Sequence, residues 1–500
     1  MGIQSEQRGP QQTLARTGSV ATENEIEDSP CQTLGYPIPC LPEDIWRHIH
    51  SLMPMDAAAR AACLSHAFLS SWRSYPKLTL SRQTLCSKTS GNNLSSRIDS
   101  ILKKHSGIGL KILSLTVSDN YSCFPYINSW LQAAVTPGIE ELTLTLHGKY
   151  NFPCSLLSDG VRSSIRSLQL SSCVFCPTRD LGPFRRLTII RMRSVHITGD
   201  ELECLLSNSF ALEHLYLNNC KGIVFLKIPS VLERLSSLKV FVCSGLQVIE
   251  NNAPNLSSFT LIGKVSELSL GEASQIMKVF CMRHANVVCY ARTELPPIMP
   301  NLETLELDSS EEVDTPMLPT KFLNLKHLSI QISGWTLSPS YDYFSLVSFL
   351  DASPSLETWY LNVSQKDMKH ESVFGGSSFR QLPEQRHNHL KSVEIVGFSS
   401  AKGLVELTCC IVKNVVSLKR LTLNTLHGHG RCSGENNNDC GDQICVGISK
   451  AVLKEATTAV AAIRKYIEDK VAPTTKLTVL EPCTRCHSTT VDDGRSIWRL

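Results

Sequence analysis

The chain has 500 residues, 42% hydrophobic and 19% charged, and Lys+Arg 49 against Asp+Glu 46 leaves a formal net charge of +3. That composition supports a large buried core and excludes wholesale disorder. A balance so near neutral gives no support to a bulk nucleic-acid or membrane-surface binder, which would show a basic excess. No apolar run reaches the roughly 18 residues a membrane helix needs; the best candidate, residues 403–418, is broken by Glu406 and Lys413.

Residues 1–38 are polar, carry Glu23, Glu25, Glu27 and Asp28, and lack the apolar stretch of a secretory signal. They read as a disordered tail. Glu6 stands where a myristoylation pattern wants Ser or Thr. The expectation is a protein of the nucleus and/or cytoplasm. In such a reducing compartment the 20 cysteines are mostly small core hydrophobes, not a disulfide framework. The glycosylation-like triplets at Asn93, Asn255 and Asn362 then carry no meaning.

Residues 39–80 form a helical block. Pro42 suits a first helical turn, with Glu43 and Asp44 facing the positive end of the dipole. Ile45, Ile49 and Leu52 fall at i, i+4, i+7 as one apolar stripe, and Pro54 stops the helix. Asp56 can cap a second helix running from Ala57 to about Ser65. A third carries Phe68 and Trp72 and ends at Pro76. Three short helices have little core of their own, so such a block leans on a neighbour or a partner.

From residue 100 onward one pattern recurs. L-x-x-L-x-L, with any apolar residue at the L positions, starts at Leu110, Ile139, Ile165, Phe184, Leu212, Leu238 and Leu256. It starts again at Val265, Met277, Leu302, Leu325, Leu356, Leu390 and Leu418. Most intervals fall in or near the roughly 20–29 residues of leucine-rich repeats, and the two short ones around Val265 suggest extra strands without helices. The last two apolar positions alternate as in a strand and point into a core. One unit cannot bury its own apolar face, so neighbours must stack. The fold class is α/β: a curved repeat solenoid with a parallel sheet on its concave side. Segments such as 198–209 are long enough for a helix on the other side.

A Gly/Asn/Cys-rich loop at 427–447 precedes a helix over 448–471 with Val452, Val460, Ile463, Ile467 and Val471 on one stripe, and a final strand at 477–480. With the strand at 418–423 this makes a βαβ closure, as a terminal repeat must be capped.

Catalytic chemistry finds no foothold. Gly148-Lys149 and Gly263-Lys264 lack the rest of a phosphate-binding loop, His370-Glu371 lacks the second His of a zinc protease, and no G-x-S-x-G occurs. Neither enzyme nor cofactor is expected. Cys483-Thr-Arg-Cys486-His487 fits the haem-attachment pattern, which needs an exported chain. Zinc on four of Cys432, Cys440, Cys445, Cys483, Cys486 and His487 is the better rival. The preferred reading is local packing plus a free, reducible pair, with no metal.

Leu41, Pro42, Ile45, Ile49, Leu52, Pro54, Ala57, Ala58, Arg60, Cys63, Ser65, Phe68 and Trp72 closely resemble an F-box, with Asp56 one residue earlier than that family's usual Asp. Residues 389–425 are similar to the FBD segment appended to many plant F-box/LRR proteins. The resemblance implies an F-box at 39–80, leucine-rich repeats at 100–385, an FBD-like cap at 386–482 and a tail at 483–500. It also implies a substrate receptor of a Skp-cullin-F-box ubiquitin ligase. Leu41, Pro42, Ile45, Ile49, Leu52, Pro54, Ala58, Cys63, Phe68 and Trp72 would dock the Skp-type adaptor and, through it, cullin. An unknown protein target, rather than nucleic acid or membrane, would meet outward strand positions. Those are Arg186, His214, Tyr216, Asn218, Glu306, Asp308, His327, Gln331, Tyr360, Asn362, Glu394 and Arg420.

Overall fold

The computed structural model describes residues 41–85, 94–107, 109–117, 124–146, 150–178, 180–333, 341–364, 370–376, 378–381, 384–426 and 450–482. The chain divides into two compact units between Trp72 and Arg73.

In the first unit, Pro42 sits in extended backbone as the N-cap of α1 (Glu43–Leu52). Glu43 occupies the first turn and accepts from Arg47 at 2.6 Å, an i,i+4 pair. Pro54, not Asp56, is the N-cap of α2 (Met55–Ala61). Asp56 lies inside the first turn and pairs with Arg60 at 3.2 Å. The second helix therefore starts earlier and ends earlier than its residues imply. The Ser65 hydroxyl accepts from the Phe68 amide at 3.2 Å and opens α3 (His66–Arg73). The interior is aromatic: the Phe68 ring lies 4.9 Å from Trp46, edge to face, and 4.9 Å from His50.

The second unit is built on strands β1 (Lys77–Leu80), β2 (Ile112–Val117), β3 (Glu141–Leu146), β4 (Ser167–Ser171), β5 (Ile189–Arg193) and β6 (His214–Asn218). They continue with β7 (Phe225–Ile228), β8 (Ser237–Phe241), β9 (Val248–Asn251), β10 (Ser258–Ile262), β11 (Glu267–Ser269) and β12 (Val279–Arg283). The last are β13 (Thr304–Ser309), β14 (His327–Ile332), β15 (Thr358–Val363), β16 (Ser392–Val396), β17 (Arg420–Asn424) and β18 (Lys476–Leu480). Fifteen of them form one sheet in chain order, and β11, β9 and β7 form a separate three-stranded sheet. Neighbours pair in parallel, for example Leu215 with Leu238 and Leu238 with Phe259.

The repeat pattern is visible in burial. Leu110, Leu113 and Leu115 are buried, as are Leu302, Leu305 and Leu307, and Leu418, Leu421 and Leu423. Two units need a shifted frame. In the fourth, the strand residues facing the core are Ile190 and Met192, so the unit starts at Leu187, not Phe184. In the sixth they are Leu238 and Val240, and it starts at Leu235. The Val265 unit is β11, on the minor sheet. Residues 77–80, read as part of the helical block, are the first strand of the main sheet, with Tyr75, Leu78 and Leu80 buried.

A repeated turn joins the units. Ser172, Ser194, Asn219 and Val242 follow successive strands with φ of 56, 53, 51 and 48°. Each N–H donates to the carbonyl that ends the next strand: Arg193, Asn218, Phe241 and Ile262, at 2.8, 2.7, 2.8 and 2.6 Å. Left-handed backbone at a non-glycine costs about 1–3 kcal/mol, and the bond to the neighbouring repeat holds it. Connections vary in bulk. Thr198 and Glu201 form a capping box on the helix Gly199–Ser207, which buries Leu202, Leu205 and Leu206. A hypothetical Cβ on Gly199 would meet the Phe225 carbonyl oxygen at 2.3 Å, so only glycine fits there. The helix Lys450–Tyr466 buries Ala456, Ala459, Val460 and Ile463, and β18 follows it to pair in parallel with β17. This is the expected βαβ closure.

Candidate functional site

Two surfaces and one half-buried ionic cluster hold the residues of interest. The first surface belongs to the helical unit. Trp46 and His50 face inward from α1, so the stripe one residue back faces out: Ile45 is 41% exposed and Leu52 72%. Leu64 adds 58% exposure, Pro42, Pro54 and Cys63 are exposed, and Leu41 and Ile49 are half-buried. Ala58 and Trp72 are buried, and Phe68 is half-buried in the ring cluster. Ala58 and Trp72 shape the unit from inside, while Phe68 keeps part of its ring at the surface.

The second surface is the outward face of the main sheet. His214, Glu306, His327, Glu394 and Arg420 are exposed there, and Tyr216, Asn218, Asp308, Gln331 and Tyr360 are half-buried. Asn362 points the same way but is only 9% exposed, and its amide donates to Gln331 Oε1 at 3.4 Å. It is part of the packing, not open surface. Arg186 is not on this face at all; it precedes β5, whose outward residues are Ile189, Arg191 and Arg193. The frame shift in the sixth unit likewise brings Lys239 and Phe241 outward. FRRLTIIRM accommodates two frames, and the more even unit spacing given by Leu187 and Leu235 was the signal that separates them.

Neighbouring strands bring these side chains together. The Tyr216 and Phe241 rings lie 5.0 Å apart, and Asn218 donates to the Tyr216 hydroxyl at 3.0 Å. Arg283 pairs with Asp308 at 3.0 Å. His327 Nδ1 lies 2.8 Å from the Thr358 hydroxyl. Burial, then the Glu306 and Asp308 carboxylates, push the Cys281 thiol up to about 11, so it is a neutral thiol at physiological pH.

The ionic cluster, half-buried around Glu406, was not legible in the sequence. Glu406, on the helix Lys402–Asn414, is fully buried. It accepts from the Arg380 backbone N–H at 3.0 Å and from Arg380 Nε at 2.6 Å. Arg380 Nη1 also donates to Asp342 Oδ2 at 2.7 Å, and the guanidinium stands 4.5 Å from the Phe344 ring centroid. Burial alone would lower the Arg380 pKa, but Asp342 and Glu406 hold it above its usual value. A cavity of about 170 Å³ lies alongside, bounded by Tyr341, Tyr343, His370, Arg380 and Lys402. Gly403 fits because a Cβ would come within 2.5 Å of Asp342 Oδ1. Arg380 thus ties a loop to two elements of the terminal repeats. Arg380→Met should lower stability by about 2–3 kcal/mol, since it strands the buried Glu406 carboxylate. Arg380→Lys should recover only part, because it loses the fork. Thermal melts of both variants check this.

Among the described residues no group of three or more His, Cys, Asp or Glu side chains is arranged to hold a metal ion. Cys432, Cys440, Cys445, Cys483, Cys486 and His487, and the 1–38 tail, lie outside the described residues.

The LRR-domain family described as At1g61320/AtMIF1 matches residues 101–484, which takes in β2 through β18. A putative F-box/FBD/LRR-repeat protein of Arabidopsis thaliana, At5g56810, is 25% identical over 418 residues, covering 79% of this chain and 90% of its own. The FBD-associated F-box protein At1g66310 of the same plant is 25% identical over 420 residues, covering 77% and 88%. Another Arabidopsis relative, the putative FBD-associated F-box protein At1g61330, is 22% identical over 410 residues, covering 77% and 90%. With a repeat sheet that runs the length of the family match, the chain belongs to the At1g61320/AtMIF1 LRR-domain family, among plant proteins named for an F-box, leucine-rich repeats and an FBD segment.

Proposed function

We propose that this protein is the substrate-recognition subunit of a Skp-cullin-F-box ubiquitin ligase. The helical unit docks a Skp-type adaptor, and the outward face of the sheet holds a target protein. The observation that carries the reading is the inverted polarity of α1: His50 is inside while Ile45 and Leu52 are in solvent. A helix folded for itself would turn its aliphatic stripe inward. One that exposes it presents an interface. The receptor makes no bond itself; it raises local concentration and orients the target for the ligase's ubiquitin carrier. No catalytic residue, cofactor or metal enters this role, and it is exercised in the nucleus and/or cytoplasm.

Co-expression of the full chain with a Skp-type adaptor and cullin tests the reading. The expected result is a complex that survives size-exclusion chromatography. Soluble chain eluting free of adaptor would leave it a protein-binding scaffold outside any ligase.

A further inference from the structure

The outward face of the sheet is segregated by charge. From β5 to β12 the outward positions of the main sheet carry Arg191, Arg193, Lys239 and Arg283 and no carboxylate. From β13 to β16 they carry Glu306, Asp308 and Glu394 and no Lys or Arg. Arg283 is neutralised across the boundary by Asp308. Arg191, Arg193 and Lys239 are exposed and have no ion-pair partner among the described residues. Arg191 and Arg193 are two apart on one strand, so their side chains leave the same face side by side.

Like charges gathered on a sheet face work against the isolated fold, and nothing on these strands compensates for them. Register places Tyr216 between Arg191 and Lys239, and its ring meets that of Phe241, two residues beyond Lys239 on β8. The strip is therefore an aromatic platform flanked by free cations. Tyr and Arg are among the side chains enriched at binding hot spots.

We propose that this strip docks a short acidic segment of the target, with carboxylates meeting Arg191, Arg193 and Lys239 and an apolar side chain lying on Tyr216 and Phe241. The proposal rests on the reading of this face as the target site, and it names the chemistry of what is recognised. Two strand spacings of about 4.8 Å separate β5 from β8, roughly 10 Å in all. That is the span of about three extended residues. A nucleic acid is a poorer match, because a longer polyanion continuing along the sheet would run into Glu306, Asp308 and Glu394.

The test uses the full chain with a fluorescein-labelled peptide of alternating Glu and Phe, read by fluorescence anisotropy. Its Gln/Phe and Lys/Phe counterparts serve as controls. The Glu/Phe peptide should bind, bind less tightly as salt is raised, and lose at least tenfold in affinity to R191E/R193E, while the controls stay weak. K239E should reduce affinity in the same direction and provides a second reading should the double variant fold poorly. Unchanged peptide binding in R191E/R193E at an unchanged melting temperature would overturn the proposal. So would a Lys/Phe peptide that binds as well, or a single-stranded oligonucleotide that displaces the Glu/Phe peptide and binds more tightly. Adaptor capture is measured on the same preparations. Loss of the peptide result with capture intact rejects the acidic segment and leaves the receptor reading standing; absent capture with peptide binding intact does the reverse.

Discussion

Replacing Ile45 and Leu52 together by aspartate should cut adaptor capture at least 100-fold and leave the protein's melting temperature unchanged. Both side chains are already in solvent, at 41% and 72% exposure, so a carboxylate there has water around it in the free chain. In a complex that buries them, each variant forgoes the roughly 1.5–3 kcal/mol of an aliphatic side chain removed from water and adds the cost of burying a charge. Two sites together exceed the roughly 2.7 kcal/mol that a 100-fold change represents. The contrast on the same helix is Trp46→Ala. Trp46 is 8% exposed and packs on Phe68, so its loss should destabilise the unit by about 3–5 kcal/mol. Calorimetry and adaptor titration on both variants separate a docking residue from a folding residue. Full capture by a folded Ile45→Asp, Leu52→Asp protein would remove the outward stripe from the interface.

The second large effect distinguishes the two faces of the sheet. Leu217→Ala should lower stability by about 2–5 kcal/mol, because Leu217 is fully buried between adjacent repeats and a repeat cannot close on the void. Leu215 and Leu361, each 1% exposed, should behave alike. Tyr216→Ala, His214→Ala and Tyr360→Ala should each cost about 1 kcal/mol or less and instead weaken target capture. Asn362 joins the costly set despite its outward position, because it is buried. Equal melting temperatures for Leu217→Ala and Tyr216→Ala would contradict the strand register.

That register also explains what a reader of the residues alone recovers. Fourteen matches to one apolar pattern pointed to a stacked parallel sheet, since only stacking buries a face that each unit leaves open. The aliphatic stripe of α1 was legible for the same periodic reason, but its direction was not. Periodicity places Ile45, Ile49 and Leu52 on one face without saying whether that face meets the interior or the solvent, and Trp46 with His50 took the interior. Frame was the other gap. Where apolar residues run together, as in Leu187, Ile189, Ile190 and Met192, a one-residue slip exchanges the two faces. Two slipped frames hid Arg191, Arg193 and Lys239, and with them the charge segregation of the sheet.

The repeat architecture, the helical block before it and the βαβ closure after it follow from local periodicity, which is a property of neighbouring residues. Which apolar stripe stays in water, which Asn is buried, and that Arg380 reaches Glu406 and Asp342 are set by folding alone. Those outcomes depend on the packing of segments distant in the chain. Arg380 and Asp342 are 38 residues apart, and no spacing rule in a sequence links a loop cation to a carboxylate that only the stacking of repeats brings within hydrogen-bond reach.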